Sequence, residues 1–159
     1  MTKKKVGVLL SVLAVIIIVA LLATILVFVL KPKAPESDGS FEITIMFMDK
    51  ESNVLYSKNV AVNGGFLEAA LTKLDDSCDK ISLNVGDSAF GVFVNSFTVD
   101  GTSYGTAEGE WVVFYTDDEE NYNTEWGSVT LDGKYYASAV EGISSLPVKE
   151  GKTYIFTVI

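Results

Sequence analysis

The stretch FEITIMFM, residues 41–48, alternates large apolar side chains with polar or smaller ones. Its odd-numbered residues fall on one side of an extended chain, because successive side chains of a strand point to opposite faces. This pattern predicts a half-buried β-strand at the start of a folded domain. The segment NVLYSKNVAV, residues 53–62, predicts a second strand, and DKES between the two predicts a tight hairpin turn.

After this hairpin the apolar spacing changes to that of a helix and then back to that of strands. In GGFLEAALTKLDD, residues 64–76, apolar residues recur every three or four positions, which predicts an amphipathic helix. Further strands are predicted at KISLNV, FGVFVNSFTVDG, Trp111–Tyr115, GKYYASAV and KTYIFTVI. Two strands, a helix and then more strands predict an α+β domain that is β-grasp-like, with a mixed sheet and one covering helix.

The first thirty residues have a different character. Residues 6–30 contain no charged side chain. At about 1.5 Å per residue they exceed the roughly 30 Å hydrocarbon core of a bilayer. The run is longer than the apolar core of a cleaved signal peptide, and no cysteine follows it for lipid attachment, so we predict an uncleaved, membrane-spanning signal anchor.

The charge distribution predicts how this segment is oriented. Three lysines precede the apolar run, two follow it, and every Asp and Glu comes later, from Glu36 onward. The positive-inside rule then places residues 1–5 in the cytoplasm. We predict a single-pass protein of the cell membrane, with a transmembrane helix at 6–30, a linker at 31–40 and an extracellular domain at 41–159.

The composition excludes several classes of function. The chain contains neither His nor Arg, and its net charge is −9. Without His there is no Ser-His-Asp or Cys-His relay, and we predict that the chain is not an enzyme. An acidic surface without Arg repels nucleic acid, so no nucleic-acid partner is expected. Cys78 is the only cysteine and is expected to be a small, buried residue.

The stretch EGEWVVFYTDDEENYNTEWG, which begins at residue 108, combines aromatic and acidic residues. Asp117, Glu119 and Asn121 alternate as calcium ligands would, but no glycine stands where such a loop must bend. The alternative is a solvated hairpin tip whose charge keeps the strand edge from pairing with other chains. Asp117 and Glu120 are adjacent carboxylates, and nothing apolar beside them would raise a pKa for glycoside hydrolysis.

A series of short motifs in a defined order covers residues 53–159. A glycine-led helix is followed by a small-aromatic strand that ends at a turn glycine, an aromatic strand, a glycine-hydrophobic pair and an acidic-Gly turn. The matching residues are Gly91, Phe93, Val94, Ser96, Phe97 and Gly101; Trp111, Phe114 and Tyr115; Gly142 and Ile143; and Glu150, Gly151, Tyr154 and Phe156. This order resembles the C-terminal β-domain of the transcobalamin and intrinsic factor family and the bacterial domains grouped with it.

The resemblance implies a fold with a ligand-facing edge and a cobalamin-like ligand, although the family's large helical domain is absent from this sequence. Trp111 matches a family aromatic near that edge, whereas Trp126 belongs to an insertion. The candidate ligand-binding residues are Trp111, Tyr115, Phe93, Tyr122 and Trp126, because flat rings bury area at low entropic cost.

Two functions follow from these features. The first is a membrane-anchored extracellular module that binds a cobalamin-like or other small molecule and presents it to a transporter component or partner. The second is a structural or adhesive cell-surface domain that binds a protein or glycan through its sheet edge and acidic hairpin.

Overall fold

The computed structural model of the chain describes residues 15–22, 35–88 and 91–159. The chain divides into two compact units, Met1–Lys33 and Ala34–Ile159. In the first unit the described residues form a helix, α1 (15–22), whose side chains are all exposed.

The predicted transmembrane helix at 6–30 is corrected by this finding. No helix of the described residues is long and apolar enough to cross a membrane. The predicted fold, a single transmembrane helix followed by a β-grasp-like domain, is therefore wrong in its first element. The rest of 6–30, the predicted cytoplasmic residues 1–5 and the first residues of the predicted linker lie outside the described residues.

The second unit is built mainly of strands. Its elements are β1 (Glu36–Met48), β2 (Val54–Gly64), α2 (Leu67–Ser77), β3 (Ile81–Ser88), β4 (Gly91–Val99), β5 (Thr102–Tyr104), β6 (Val112–Thr116), β7 (Tyr122–Leu131), β8 (Lys134–Ala139) and β9 (Thr153–Val158). Six strands form a mixed sheet in the order β2-β1-β9-β6-β8-β7, and β3, β4 and β5 form a second, antiparallel sheet. The first strand begins inside the segment predicted as a linker.

The large sheet is mixed because two neighbouring strands within it, β1 and β9, run parallel. β1 and β9 pair in parallel, and β2 and β6 flank them in antiparallel pairs. Every residue of β9 is buried. A strand that is buried along its whole length is expected where both faces of a sheet are covered. In β1 the alternation predicted from the sequence is observed, with Ile43, Ile45 and Phe47 buried on one face.

The main core lies where the small sheet covers this face of the large sheet. The ring of Phe47 on β1 lies 5.0 Å from that of Phe97 on β4 and 5.5 Å from that of Phe156 on β9, between ring centroids. Helix α2 adds Leu67, Leu71, Leu74 and Ala70 to the same cluster. One layer therefore consists of six strands, and the other of three strands and a helix.

The prediction of one mixed sheet with one covering helix is therefore also wrong. The helix is 11 residues long and shares its side of the large sheet with β3, β4 and β5. The apolar alternation in β3 and β4 predicted both strands correctly. Alternation does not determine which strands pair, however, because any half-buried strand shows it.

A smaller cluster lies on the opposite face of the large sheet. Its buried members are Met48, Tyr115, Tyr136 and Ile155. The loop between β8 and β9 is fastened to β4 near the main core, where the Ile143 amide donates to the Val92 carbonyl at 2.9 Å. This fastening requires a glycine at Gly91, because φ there is +105° and a Cβ would lie 2.8 Å from the Ser144 hydroxyl oxygen.

Candidate functional site

The turn after β6, residues 117–121, is called the acidic turn below. Asp118 is only 2% exposed. One of its carboxylate oxygens accepts from the Lys149 ammonium at 2.9 Å and the other accepts from the Asn121 amide at 2.5 Å. Burial alone would raise the pKa of Asp118, but these hydrogen bonds outweigh it and lower the pKa below its ordinary value.

Asp117 is held in a similar way. Its side chain is 9% exposed, and its carboxylate lies 2.5 Å from the Lys134 ammonium. The second carboxylate oxygen accepts from the Thr153 amide at 2.7 Å, and the Asp117 carbonyl accepts from Lys152 at 3.1 Å. The turn is therefore fastened to β8, to β9 and to the loop before β9.

Two of the three candidate calcium ligands, Asp117 and Asn121, already use their side chains in contacts within the protein. The Asp117 carboxylate already accepts from Lys134 and a backbone amide, and the Asn121 side chain donates to Asp118. Glu119 is exposed. Within 15–22, 35–88 and 91–159 no group of three or more His, Cys, Asp or Glu side chains could hold a metal ion. The acidic turn thus makes structural contacts, and only Glu119 and Glu120 extend into solvent as the predicted hairpin tip would.

A cleft opens where β8 diverges from β6. The two strands pair only at Tyr115 with Ser138 and at Thr116 with Ala137. The first half of β6 is paired with β9 on its other side. The space left beside it is a cavity of about 440 Å³. Its lining includes Phe93, Val112, Val113, Phe114, Trp126, Ala139, Val140 and Glu141. We call this cavity the aromatic cleft.

A bulge in β7 brings Trp126 to the cleft. The pairing of β7 with β8 shifts between Asn123 and Ser128, so residues 124–127 are left out of the ladder. Gly127 has φ +118°, and a Cβ there would lie 3.5 Å from the Tyr115 hydroxyl oxygen. A bulge of this kind redirects a side chain locally. Trp126 is 62% exposed at the rim.

A second cavity of about 400 Å³ adjoins the first. Both cavities are lined by Phe93 and Val112, so these two residues form the wall between them. The second cavity is also lined by Asp87, Glu110 and Trp111. Trp111 is 70% exposed, and its backbone exchanges hydrogen bonds of 3.1 and 3.0 Å with Ile159. Its position is thus fixed by the sheet while its side chain stays accessible.

The structure brings three of the five candidate aromatics together and separates the other two. Phe93, Trp111 and Trp126 line the paired cavities. Tyr115 is buried in the small core cluster, and burial raises its pKa. Tyr122 packs edge-on against Tyr135, with ring centroids 6.2 Å apart. Neither of these two tyrosines is among the residues that line the cavities.

Several residues of the site were not predicted from the sequence. The lysines that fasten the acidic turn, Lys134 and Lys149, carried no local signal because they lie far from it along the chain. Glu141 lies at the cleft just before the Gly142 and Ile143 pair. Gly142 and Ile143 belong to the family resemblance, so the position of Glu141 next to them was the only sequence feature that could have indicated it.

Comparison with known proteins supports the fold. No protein-family model matches the sequence, and no curated protein matches it significantly. Among solved structures, haptocorrin in complex with Cbi matches with a TM-score of 0.53 and 12% identity, over 76% of this chain and 25% of haptocorrin. A protein from Ruminococcus gnavus ATCC 29149, proposed to bind metal, matches with a TM-score of 0.49 and 13% identity, over 75% of this chain and 96% of that one.

The haptocorrin match confirms the resemblance to the transcobalamin family at the level of the fold. At 12% identity the match shows the fold alone. The chain spans about a quarter of the length of haptocorrin. The fold and the aromatic cleft together define a β-rich domain with an open, apolar, tryptophan-rimmed cavity.

Proposed function

We propose that the unit Ala34–Ile159 is a ligand-binding module that receives a small molecule with a flat ring system in the aromatic cleft. The observation that carries this proposal is the open cavity of about 440 Å³ beside the unpaired half of β6, with Trp126 exposed at its rim. Small-molecule sites are typically concave, mostly apolar and roughly 300–1,000 Å³ in volume.

The exposure of the two tryptophans supports the proposal. Trp111 and Trp126 are the only tryptophans of the chain. Both are more than half exposed, whereas Phe47, Phe97 and Phe156 of the core are fully buried. Exposed large aromatic residues beside a cavity are characteristic of binding sites, because their burial on binding releases apolar surface from water.

Cobalamin-like compounds are the first ligands to test. The fold is shared with haptocorrin, whose solved structure contains Cbi. A second cavity of about 400 Å³ lies on the other side of Phe93 and Val112 and carries the second exposed tryptophan, Trp111. Presentation of the ligand to a transporter component or other partner, an extracellular location and the absence of enzymatic activity stay predictions of the sequence.

The experiment is a titration of the full-length protein with cobinamide and cobalamin, monitored by tryptophan fluorescence and by calorimetry. Because both tryptophans border the cavities, ligand entry is expected to quench their emission. Trp126→Ala is expected to weaken binding by about 10- to 100-fold, the range of a central aromatic contact.

The matched control is Tyr135→Ala, which removes an exposed aromatic residue outside the cavities. This variant is expected to bind like the unmodified protein. The corrinoid version of the proposal is contradicted if neither compound binds. If binding is found but is equally tight in Trp126→Ala and Trp111→Ala, the ligand occupies another surface and the aromatic cleft is not the site.

The alternative function, a structural or adhesive surface domain, would use the sheet edges and the acidic hairpin. Asp117 and Asp118 in that hairpin are engaged by lysines. At the β2 edge the Lys73 ammonium donates to the Ala61 carbonyl at 2.6 Å, and the β7 edge is interrupted by its bulge. Lysines and bulges of this kind discourage pairing with other chains. The aromatic cleft therefore supports ligand binding better.

A further inference from the structure

We propose that the aromatic cleft and the cavity beside it select flat ligands that carry a positive charge over neutral or anionic ligands of the same shape. This inference rests on the proposed function and names the chemical class of its ligand. It follows from the charges that line the two cavities, from the lack of salt bridges to those charges among the described residues, and from the tryptophans at the rim.

The charged residues that line the cavities all have the same sign. Glu141 lines the aromatic cleft, and Asp87 and Glu110 line the second cavity. No lysine is among the described lining residues of either cavity. The chain also contains no Arg or His. A cleft lined by one sign of charge between apolar walls concentrates the field and attracts ligands of the opposite sign.

These three carboxylates are not neutralised by the described part of the chain. The salt bridges among described residues involve other acids, namely Asp100, Asp117, Asp118 and Glu120. Glu110 accepts a hydrogen bond of 3.4 Å from the Ala107 amide, which leaves its charge intact. The cavity carboxylates are thus in the opposite condition to those of the acidic turn.

The tryptophans add a second attraction of the same kind. A cation over the face of an indole ring is drawn to the negative face of its π-system, with tryptophan the strongest of the aromatic residues in this respect. Trp126 and Trp111 each border one of the cavities and are largely exposed. The Lys134 ammonium does lie over an aromatic ring, but that ring is Tyr136, and its charge is paired with the Asp117 carboxylate.

The arrangement fits an organic cation better than a metal ion. Asp87 lies at the end of β3, Glu110 precedes β6, and Glu141 follows β8. Among the described residues, no group of three or more His, Cys, Asp or Glu side chains is placed to hold a metal ion. Calcium needs six to eight converging oxygens. A delocalised positive charge on a flat ring needs only the nearby field and the ring faces.

The test uses three probes built on one tricyclic ring. They are 9-aminoacridine, which is protonated at neutral pH, neutral acridone, and the anion acridine-9-carboxylate. Their dissociation constants with the full-length protein are measured by equilibrium dialysis at low and at high salt. We expect the cation to bind at least tenfold more tightly than acridone and the anion to bind most weakly. High salt is expected to reduce this preference, because it screens exposed charges.

The double variant Glu110→Gln/Glu141→Gln is expected to reduce the preference for the cation over acridone several-fold, while Asp87 and the tryptophans retain part of it. The matched control is Glu119→Gln, which removes one negative charge from the exposed part of the acidic turn, outside the cavities. It is expected to leave the preference unchanged. Trp126→Ala is expected to weaken the binding of both the cation and acridone.

Each outcome has a distinct meaning. If acridone binds as tightly as 9-aminoacridine and Trp126→Ala weakens both, the charge preference is refuted while the proposed binding function stands. If the cation is preferred but the double variant behaves like Glu119→Gln, the preference comes from the general negative charge of the protein, and the inference is refuted. If none of the three probes binds, the inference is refuted, and the corrinoid titration decides the proposed function separately.

Discussion

The acidic turn and the aromatic cleft lie at opposite ends of the same five-residue strand, β6, and they differ in almost every physical respect. In the acidic turn, Asp118 is buried and its charge is paired with Lys149. In the aromatic cleft, Trp126 is exposed and Glu141 has no salt bridge among the described residues. The buried carboxylates of the turn are paired with lysines of the same chain, whereas the cleft exposes to solvent an aromatic ring and a carboxylate that has no salt bridge in the described part of the chain.

This difference shows why a run of acids is a poor indicator of a binding site. Consecutive carboxylates in a sequence show neither their burial nor their partners, and the lysines that pair with these acids come 17 to 31 positions later. Exposed aromatic residues are the stronger signal, because leaving a large apolar surface in water has no structural benefit. Substitutions in the acidic turn are therefore expected to change stability, and substitutions in the aromatic cleft are expected to change binding.

Of the two regions, the acidic turn is expected to show the larger effect on stability. Asp118→Ala removes the buried acceptor of Lys149, Asn121 and the Glu120 amide. We expect the free energy of unfolding to fall by about 2–3 kcal/mol, because the donors lose their partner while Lys149 keeps only Glu120. Denaturant unfolding measures this. Glu119→Ala, at the exposed neighbouring position, is the control and is expected to change stability by less than about 0.5 kcal/mol.

A smaller effect is expected at the bulge that carries Trp126. Gly127→Ala places a side chain at φ +118°, so we expect a loss of about 1–2 kcal/mol in unfolding free energy. Binding at the cleft should weaken as well, since the bulge positions Trp126. The control is Gly39→Ala, because nothing lies within 4 Å of a Cβ there. Equal behaviour of the two variants would show that the bulge tolerates a side chain.

Stability is expected to depend on pH through the acidic turn, because its buried carboxylate and the lysine paired with it both have shifted pKa values. The pKa of Asp118 is lowered from 3.8, so its contribution is complete above pH 3.8 and is lost as the pH falls through the folded-state value. The pKa of Lys149 is raised from 10.5, because the hydrogen bonds to Glu120 and Asp118 outweigh burial, and its contribution is lost as the pH rises above that value.

We therefore expect the unmodified protein to lose stability below pH 3.8 more steeply than Asp118→Ala does, when both are followed by denaturant unfolding across pH. Trp126→Ala should keep the steep profile of the unmodified protein, because no titrating group of the acidic turn is altered. A profile for Asp118→Ala as steep as that of the unmodified protein would mean that other carboxylates dominate the acid response.

Much of the β-rich fold could be predicted from local patterns. The strands at 41–48, 53–62 and 152–159 were predicted from local apolar patterns, and each is present. The division into two sheets could not be predicted, because it depends on contacts such as that between Phe47 and Phe97, which are distant in sequence. The apolar run at 6–30 suggested a membrane span on length alone, and the described helix there covers only 15–22.

The residues that carried the family resemblance proved to be mainly residues of the core and of turns. Phe97, Ile143, Tyr154 and Phe156 are buried in the main core. Gly91 has a positive φ beside Ser144. Such residues determine how the chain folds, which explains why the resemblance indicated the fold. Of the cavity residues, Trp126 lies in an inserted bulge, so its place at the cleft depends on a register shift that no sequence pattern predicts.

The smallest expected effect on stability is at the two tryptophans that border the cavities. Trp111→Ala and Trp126→Ala remove side chains that are 70% and 62% exposed, so each should change the free energy of unfolding by less than about 0.5 kcal/mol. Phe97→Ala, in the buried core, is the contrasting variant and should cost about 3–5 kcal/mol. Denaturant unfolding of all three variants measures the difference.

A large loss of stability in either tryptophan variant would show that the ring packs against the fold and stabilises it, and would contradict its assignment to a ligand-binding surface. Unchanged stability combined with weakened ligand binding is the expected outcome. Two large apolar rings are held in water by a backbone that the sheet and the β7 bulge fix in place, and their contribution to free energy is gained when a ligand covers them.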